Sequence, residues 1–324
     1  MKAIIFCFSD SGASLAQKLC SLLELERHCI RRGLPDDMET LFAENEALIF
    51  IGACGIAVRA VAPYIRSKTT DPAVIVIDDQ ARYVIPILSG HIGGANRLAR
   101  HIAALLDAVP VITTATDGAG KFSCDAWAVQ NNCAISSMDV AKKVSAAVLN
   151  KEIPIASDFE LPSSLPDGLV PGENGDIGIY IGIHDRSPFN NTLRLVPRIL
   201  TLGIGCRKGT GKEHLLSAVK TVFANNGLDL RAVEKIASID AKKDEKGLLS
   251  CAEDLGAEII FYSADELNGA EGDFDESDFV RKTVGTGNVC ERSAVIAGGR
   301  LVVRKTRMEG VTVAVAEKDW RVEF

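Results

Sequence analysis

The sequence predicts an α/β protein: two α/β domains with mainly parallel sheets, joined by a small α+β middle region. Three observations carry that expectation. Strand-like and helix-like segments alternate through residues 1–118, they alternate again over 197–324, and six of the eleven prolines fall between Pro154 and Pro197. At 324 residues and 47% apolar content, the chain is long enough to bury two or three cores.

In the first stretch, apolar runs at 3–8, near 28–31, and at 47–51, 73–77, 83–88 and 109–113 read as strands. Helical spacing covers 13–26, 37–45, 55–65 and 92–106. The turn Asp78-Asp79-Gln80-Ala81-Arg82 joins two strands directly, which predicts one antiparallel hairpin inside the sheet. Residues 119–196 hold helical stretches at 124–131 and 138–149 and strand-like runs at 153–156 and 177–183, broken up by proline. From 197, a strand ending at Gly205 leads into a basic turn, Cys206-Arg207-Lys208-Gly209. Thr210 and Glu213 then stand at capping-box spacing ahead of a helix that stops at Gly227. A helix at 246–254 and a strand at 257–262 follow, Asn288 and Glu291 repeat the capping-box spacing, and strands at 301–305 and 311–316 close the chain.

Composition narrows the function. A net charge of −7 and few aromatics argue against nucleic acid, whose phosphates select a basic face. No apolar run approaches the ~20 residues of a membrane span, and Met1 to Phe8 reads as a first strand rather than a signal sequence. Nine cysteines without a C-x-x-C pair fit reduced thiols, hence a soluble, cytoplasmic protein with no metal site of its own. Against the acidic total, Arg59, Arg66, Lys68, Arg207, Lys208, Lys212, Arg304, Lys305 and Arg307 gather in or beside the candidate turns. Cations placed there suit a small, multiply anionic ligand.

The richest segment is Leu88-Ser89-Gly90-His91-Ile92-Gly93-Gly94-Ala95-Asn96, a glycine-rich turn between a strand and a helix. It sits at a strand's carboxyl end, where open α/β sheets place ligands, and a helix start disfavours an imidazolium. A neutral His91 there can accept a proton. Backbone N–H groups of Gly93 and Gly94, with Ser89, are candidate oxyanion donors. Thr113-Thr114-Ala115-Thr116-Asp117 ends a strand with hydroxyls and a carboxylate; Asp117 and Asp125 can orient a histidine or activate water, or equally cap the helix that begins near Ser123. Glu291 reads mainly as a capping residue. The run Gly203 to Lys212 looks like a phosphate loop but has Cys206 where its first glycine belongs and Glu213 at the magnesium hydroxyl, which argues against a nucleotide. What remains is a basic turn at a helix start, suited to carboxylates.

Six segments, in order, resemble the cobalt-precorrin-5A hydrolases of anaerobic cobalamin biosynthesis: Phe50 to Arg59, Asp71 to Val76, Leu88 to Asn96, Pro110 to Asp117, Gly203 to Thr210 and Gly310 to Ala316. The ordered set is specific where no single segment would be, and the region 119–196 matches least. The resemblance implies an enzyme that opens a ring A δ-lactone of a cobalt-bearing tetrapyrrole and releases acetaldehyde, giving cobalt-precorrin-5B. The cobalt then belongs to the substrate, and no cofactor is expected.

From their positions in the chain rather than from the resemblance, His91 is expected as base, with Ser89 and Asp117 as its catalytic companions. Arg59, Arg207 and Lys208 would clamp peripheral carboxylates. The surrounding substrate contacts would come from Gly52, Gly55, Gly90, Gly93, Gly94, Asn96, Thr114, Gly205, Gly209, Thr210 and Glu291. A broad flat substrate suggests a cleft between the end domains. A non-catalytic carrier of corrinoid intermediates is the alternative, and transient contacts with other enzymes of the pathway are expected in either case.

Overall fold

The computed structural model describes residues 1–25, 29–67, 69–114 and 120–324. The chain forms two compact units, Met1–Trp127 and Ala128–Phe324.

The first unit is a six-stranded sheet in the order β2-β1-β3-β4-β5-β6. Its strands are β1 Ala3–Cys7, β2 Ile30–Arg32, β3 Ala47–Ile51, β4 Ala73–Ile77, β5 Tyr83–Leu88 and β6 Val109–Pro110. The helices are α1 Asp10–Leu22, α2 Met38–Glu44, α3 Cys54–Val61 and α4 Ala95–Leu106, and α5 Cys124–Gln130 begins at the end of the unit. Strands β1, β3 and β4 are buried at every position, because helices cover both faces of a parallel sheet and leave no polar side for alternation. Phe6 and Phe50 stack at 4.7 Å in that core, each fully buried, a burial that contributes roughly 1.5–3 kcal/mol per side chain.

The Asp78–Arg82 hairpin is present, and β5 runs antiparallel to β4 while β6 runs parallel to β5. The two edges of this sheet therefore differ. The carboxyl ends of β1, β3 and β4 lie on one edge, and those of β5 and β6 on the other.

The second unit holds two five-stranded sheets. The first, ordered β7-β11-β10-β8-β9, comprises β7 Cys133–Ile135, β8 Ile153–Ser157, β9 Leu169–Pro171, β10 Ile177–Ile181 and β11 Asn191–Pro197, with helix α6 Met138–Val148. Four of these strands are mutually parallel and β7 alone is antiparallel. The proline-rich region is thus an α/β sheet rather than the small α+β connection expected. Proline is tolerated here by position: Pro154 falls one residue before the first β8–β10 pair, Ile155 with Ile179, so its missing N–H removes no bond from that ladder.

The other sheet, ordered β14-β13-β12-β16-β15, comprises β12 Leu200–Cys206, β13 Val233–Ile239, β14 Glu258–Tyr262, β15 Arg300–Met308 and β16 Val311–Glu317. Helices α7 Lys212–Asn225, α8 Lys246–Leu255, α9 Ala264–Asn268, α10 Asp278–Val284 and α11 Cys290–Gly298 complete it. Helix α11 lies so close on β12 that a Cβ at Gly203 would overlap the Cys290 carbonyl oxygen, so only glycine fits. The expected capping box at Thr210 does not form. Gly211 is the N-cap, and the Thr210 hydroxyl instead donates to the Arg207 carbonyl at 2.8 Å, closing the basic turn. Asn288 does act as expected, its Oδ1 accepting the Glu291 N–H at 3.0 Å.

Candidate functional site

In the first unit the expected residues divide between the sheet's two edges. Gly52, Gly55 and Arg59 follow β3. His91, Asn96 and Thr114 follow β5 and β6 on the opposite edge, about five residues of strand away, or roughly 16 Å. On the Gly52 edge the sheet order reverses between β1 and β3, the point where such sheets bind ligands. There Ser9 caps α1 and donates to Asp79 at 2.7 Å, a pairing not expected from sequence. Exposed Arg59 folds back on its own helix, donating to the Gly55 carbonyl at 3.1 Å.

On the other edge the turn after β5 is tightly wound. Ser89 has φ +56°, its hydroxyl is buried without a partner among the described residues, and a Cβ on Gly93 would overlap the Ser89 Cβ. The N–H groups of Gly94, Ala95 and Asn96 donate to the carbonyls of His91, Ser89 and Gly90 at 2.9, 3.1 and 2.9 Å. The Gly94 N–H expected to hold an oxyanion is therefore already engaged. Helix α4 begins only at Ala95, so His91 stands in the turn before it, not in the first helical turn. Asn96 Nδ2 donates to Thr114 Oγ1 at 3.0 Å and ties the turn to the segment that follows β6.

His91 Nδ1 lies 3.2 Å from Asp125 Oδ1, with the ring about one-fifth exposed and the carboxylate buried. That carboxylate oxygen also accepts from Ser123 Oγ at 2.9 Å and from the Ala126 N–H at 3.1 Å. A carboxylate facing Nδ1 favours the tautomer with its proton there, which leaves Nε2 as the acceptor nitrogen. Of the two carboxylates weighed from sequence, Asp125 is the one within hydrogen-bond distance of the histidine, while Asp117 lies outside the described residues, as does Lys68. A hollow of about 630 Å³ opens on this edge beside Gly93, Gly94, Arg97 and His101, at the starts of β3 and β4.

The second unit contains a larger cavity, about 960 Å³, at the carboxyl edge of β12 and β13. This volume is near the top of the ~300–1,000 Å³ range of small-molecule sites. Arg207, Lys208, Lys242, Lys305 and Arg307 contribute charge, and Ile239, Phe279, Val280, Val284, Val289 and Met308 an apolar wall. Phe279 is 78% exposed, an apolar ring left facing solvent. Gly205 lines the cavity where a Cβ would meet Thr312 Oγ1 at 2.6 Å, and Gly310, at φ +89°, gives room to the Arg207 stem.

Burial pushes the thiols of Cys206 and Cys290 up, the latter to about 11, so neither is a thiolate nucleophile at neutral pH. Gly209 and Thr210 line an adjoining hollow with Lys212 and Lys246 instead, and the Gly209 N–H donates to Glu245 at 2.8 Å.

Glu291 is fully buried, its carboxylate accepting from the N–H groups of Asp275 and Lys305 at 2.9 and 2.8 Å and from Asn288 Nδ2 at 2.6 Å. It is a tie between loop, helix and strand rather than a ligand contact. Lys242, Phe279 and Val280 were not anticipated. Phe279 and Val280 come from a short helix with no strong periodicity, and Lys242 from the turn after β13, whose second and third residues are Glu234 and Lys235. Among the described residues no group of three His, Cys, Asp or Glu side chains could hold a metal ion, and no helix is long and apolar enough to cross a membrane.

Comparison with known proteins gives a consistent result. The families described as Cobalamin synthesis G N-terminal and Cobalamin synthesis G C-terminus match residues 36–117 and 200–316, leaving the proline-rich sheet between them. The cobalt-precorrin-5A hydrolase of Salmonella typhimurium is 34% identical, with 96% of each chain covered. That of Priestia megaterium is 32% identical over 86% of this chain and 80% of its own. Protein CobE of Sinorhizobium sp is 28% identical over 121 residues, 36% of this chain and 79% of that protein.

Proposed function

The chain belongs to the cobalt-precorrin-5A hydrolase family, and on that premise we propose that it opens the ring A δ-lactone of cobalt-precorrin-5A and releases acetaldehyde. The observation that carries this reading is the second unit's cavity, whose lining combines cationic side chains with apolar ones. A tetrapyrrole rimmed with acetates and propionates presents the same two surfaces, a ring to bury and carboxylates to pair. Cobalt enters with the substrate, so the chain's own residues need only bind it and move protons.

His91 Nε2 takes the proton from water as the oxygen attacks the lactone carbonyl, and Asp125 holds the ring by Nδ1 and stabilises the imidazolium. Collapse of the tetrahedral oxyanion breaks the lactone C–O bond, the departing alkoxide takes the proton back from the His91 imidazolium to become a hydroxyethyl group, and the new carboxylic acid ionises to solvent. Removal of that hydroxyl proton lets the carbon–carbon bond break, its electron pair staying with the macrocycle while acetaldehyde leaves.

The test is to mix the purified protein with cobalt-precorrin-5A and measure acetaldehyde by a coupled dehydrogenase assay, with the corrinoid followed by mass spectrometry. One acetaldehyde per macrocycle is expected. Saturable binding with no acetaldehyde would show a carrier instead.

A further inference from the structure

Lys305 and Arg307 stand two residues apart on β15 and both line the large cavity. The Lys305 side chain is only 6% exposed, whereas its ion-pair partner, Asp275, is 51% exposed. Asp275 Oδ2 lies 3.0 Å from Lys305 Nζ and 2.8 Å from an Arg307 guanidinium nitrogen, and these cations hold its carboxyl below the usual carboxylate range. A buried ammonium must keep an anionic partner, since an unpaired charge there is costly. Its partner need not be Asp275.

The main chain at Asp275 is held independently of its carboxylate. Its N–H donates to Glu291, and its carbonyl accepts from Asn288 Nδ2 and from Lys305 Nζ. On either side, the Arg292 guanidinium lies 4.8 Å from the Phe274 ring and pairs with Glu276 at 2.8 Å. Rotation of one side chain therefore empties the cation pair without moving the loop.

We propose that Lys305 and Arg307 form a carboxylate subsite of this cavity, and that Asp275 is its displaceable internal occupant. The inference rests on the functional reading above: a peripheral carboxylate of the macrocycle replaces the Asp275 carboxylate, keeping the buried ammonium paired throughout. A ligand lacking a carboxylate at that position leaves Asp275 in place, so the exchange selects for carboxylated rims.

The test uses the full chain and uroporphyrin I, a tetrapyrrole octa-acid bearing acetates and propionates, titrated by fluorescence. Asp275→Asn should tighten binding roughly two- to fivefold, the scale of a half-exposed ion pair, and Arg307→Gln should weaken it by a similar factor. Asp273→Asn is the control. It removes the same charge two residues away, from a carboxylate paired with Arg304 at 3.3 Å, and should change affinity much less. Equal tightening by both Asn variants would make the effect general electrostatics and overturn the subsite, as would unchanged affinity in Asp275→Asn or no saturable binding by the wild-type chain. Acetaldehyde release by the wild-type chain reports on the functional reading separately, so the two can fail independently.

Discussion

At the His91 edge of the first unit a titratable ring is gripped by a buried carboxylate that itself has two further donors. The second unit's cavity offers about 960 Å³ and five cations, and no histidine among the described residues that line it. The two places have opposite physical character. Proton transfer needs one group in one orientation, which the turn secures by spending its own N–H groups and leaving Ser89 in the left-handed region at φ +56°. Binding a polyanion needs cations that water can release, and Arg207 and Lys208 are exposed. On the proposed reading, the first region serves chemistry and the second affinity.

The largest effect that would break this contrast is loss of His91. His91→Ala should lower turnover by roughly 10²–10⁴ while uroporphyrin I affinity stays at the wild-type value. Near-normal acetaldehyde release would remove His91 from the mechanism. Asp125→Asn is the finer cut, because it keeps the shape and removes the charge that fixes the tautomer. We expect kcat to fall by roughly a hundredfold with KM little changed, and the alkaline plateau of the pH–rate profile to move. A matching rise in KM with kcat intact would make Asp125 a structural residue only.

The cavity side is sharpened by Arg207→Ala and Lys208→Ala. Each should weaken binding of the tetrapyrrole by about 1.5–3 kcal/mol where it makes a charged hydrogen bond, or about ten- to 150-fold in Kd. Turnover at saturation should hold. If kcat fell instead, the division between chemistry and affinity would be wrong.

These assignments were unevenly legible in the chain. The strands 73–77 and 83–88 and their hairpin could be read from apolar runs and the Asp78–Arg82 turn, and the structure has both. The consequence of the hairpin was harder to see. Because β5 is reversed, the carboxyl end that carries His91 lies opposite the one that carries Gly52, and local pattern is blind to edge. The second sheet was obscured because β7 and β9 are three residues long and gain their stability from partners distant in sequence, as β11 pairs with β7 some sixty positions away. His91 stood out through its glycine turn. Asp125 could be nominated, but its 3.2 Å approach to His91 depends on where α5 packs. Asp275, an ordinary loop carboxylate in sequence, acquires meaning only beside Lys305.

The smallest expected effect concerns stability, and it separates the units by how their carboxylates are held. Burial pushes the Asp229 carboxyl up, but hydrogen bonds and charge from Arg231, with charge from Arg194, outweigh it and hold it below its ordinary value. Glu276 is held low by its hydrogen bond to Arg292 and by Arg281. In the first unit, partial burial raises Asp78, and the N–H groups of Tyr83, Arg82 and Gln80 more than offset it. A depressed folded-state value means that each contribution is complete above the unfolded carboxylate value near 4 and is lost as pH falls through the folded one. With Asp229 tied to the part-buried Arg231 and Arg194, and Glu276 to the part-buried Arg292, the second unit should lose more stability below pH ~4 than the first. The chain's two tryptophans make this measurable, since Trp127 packs near Phe122 at 6.2 Å in the first unit and Trp320 against Phe159 at 4.8 Å in the second. Urea unfolding of Trp127→Phe and Trp320→Phe variants at neutral pH and at pH ~3.5 should show the midpoint reported by Trp320 falling further than that reported by Trp127. Asp229→Asn should flatten the Trp320 response toward acid. Parallel losses from both reporters would place the acid sensitivity in the chain as a whole and erase the difference in how the two units hold their charge.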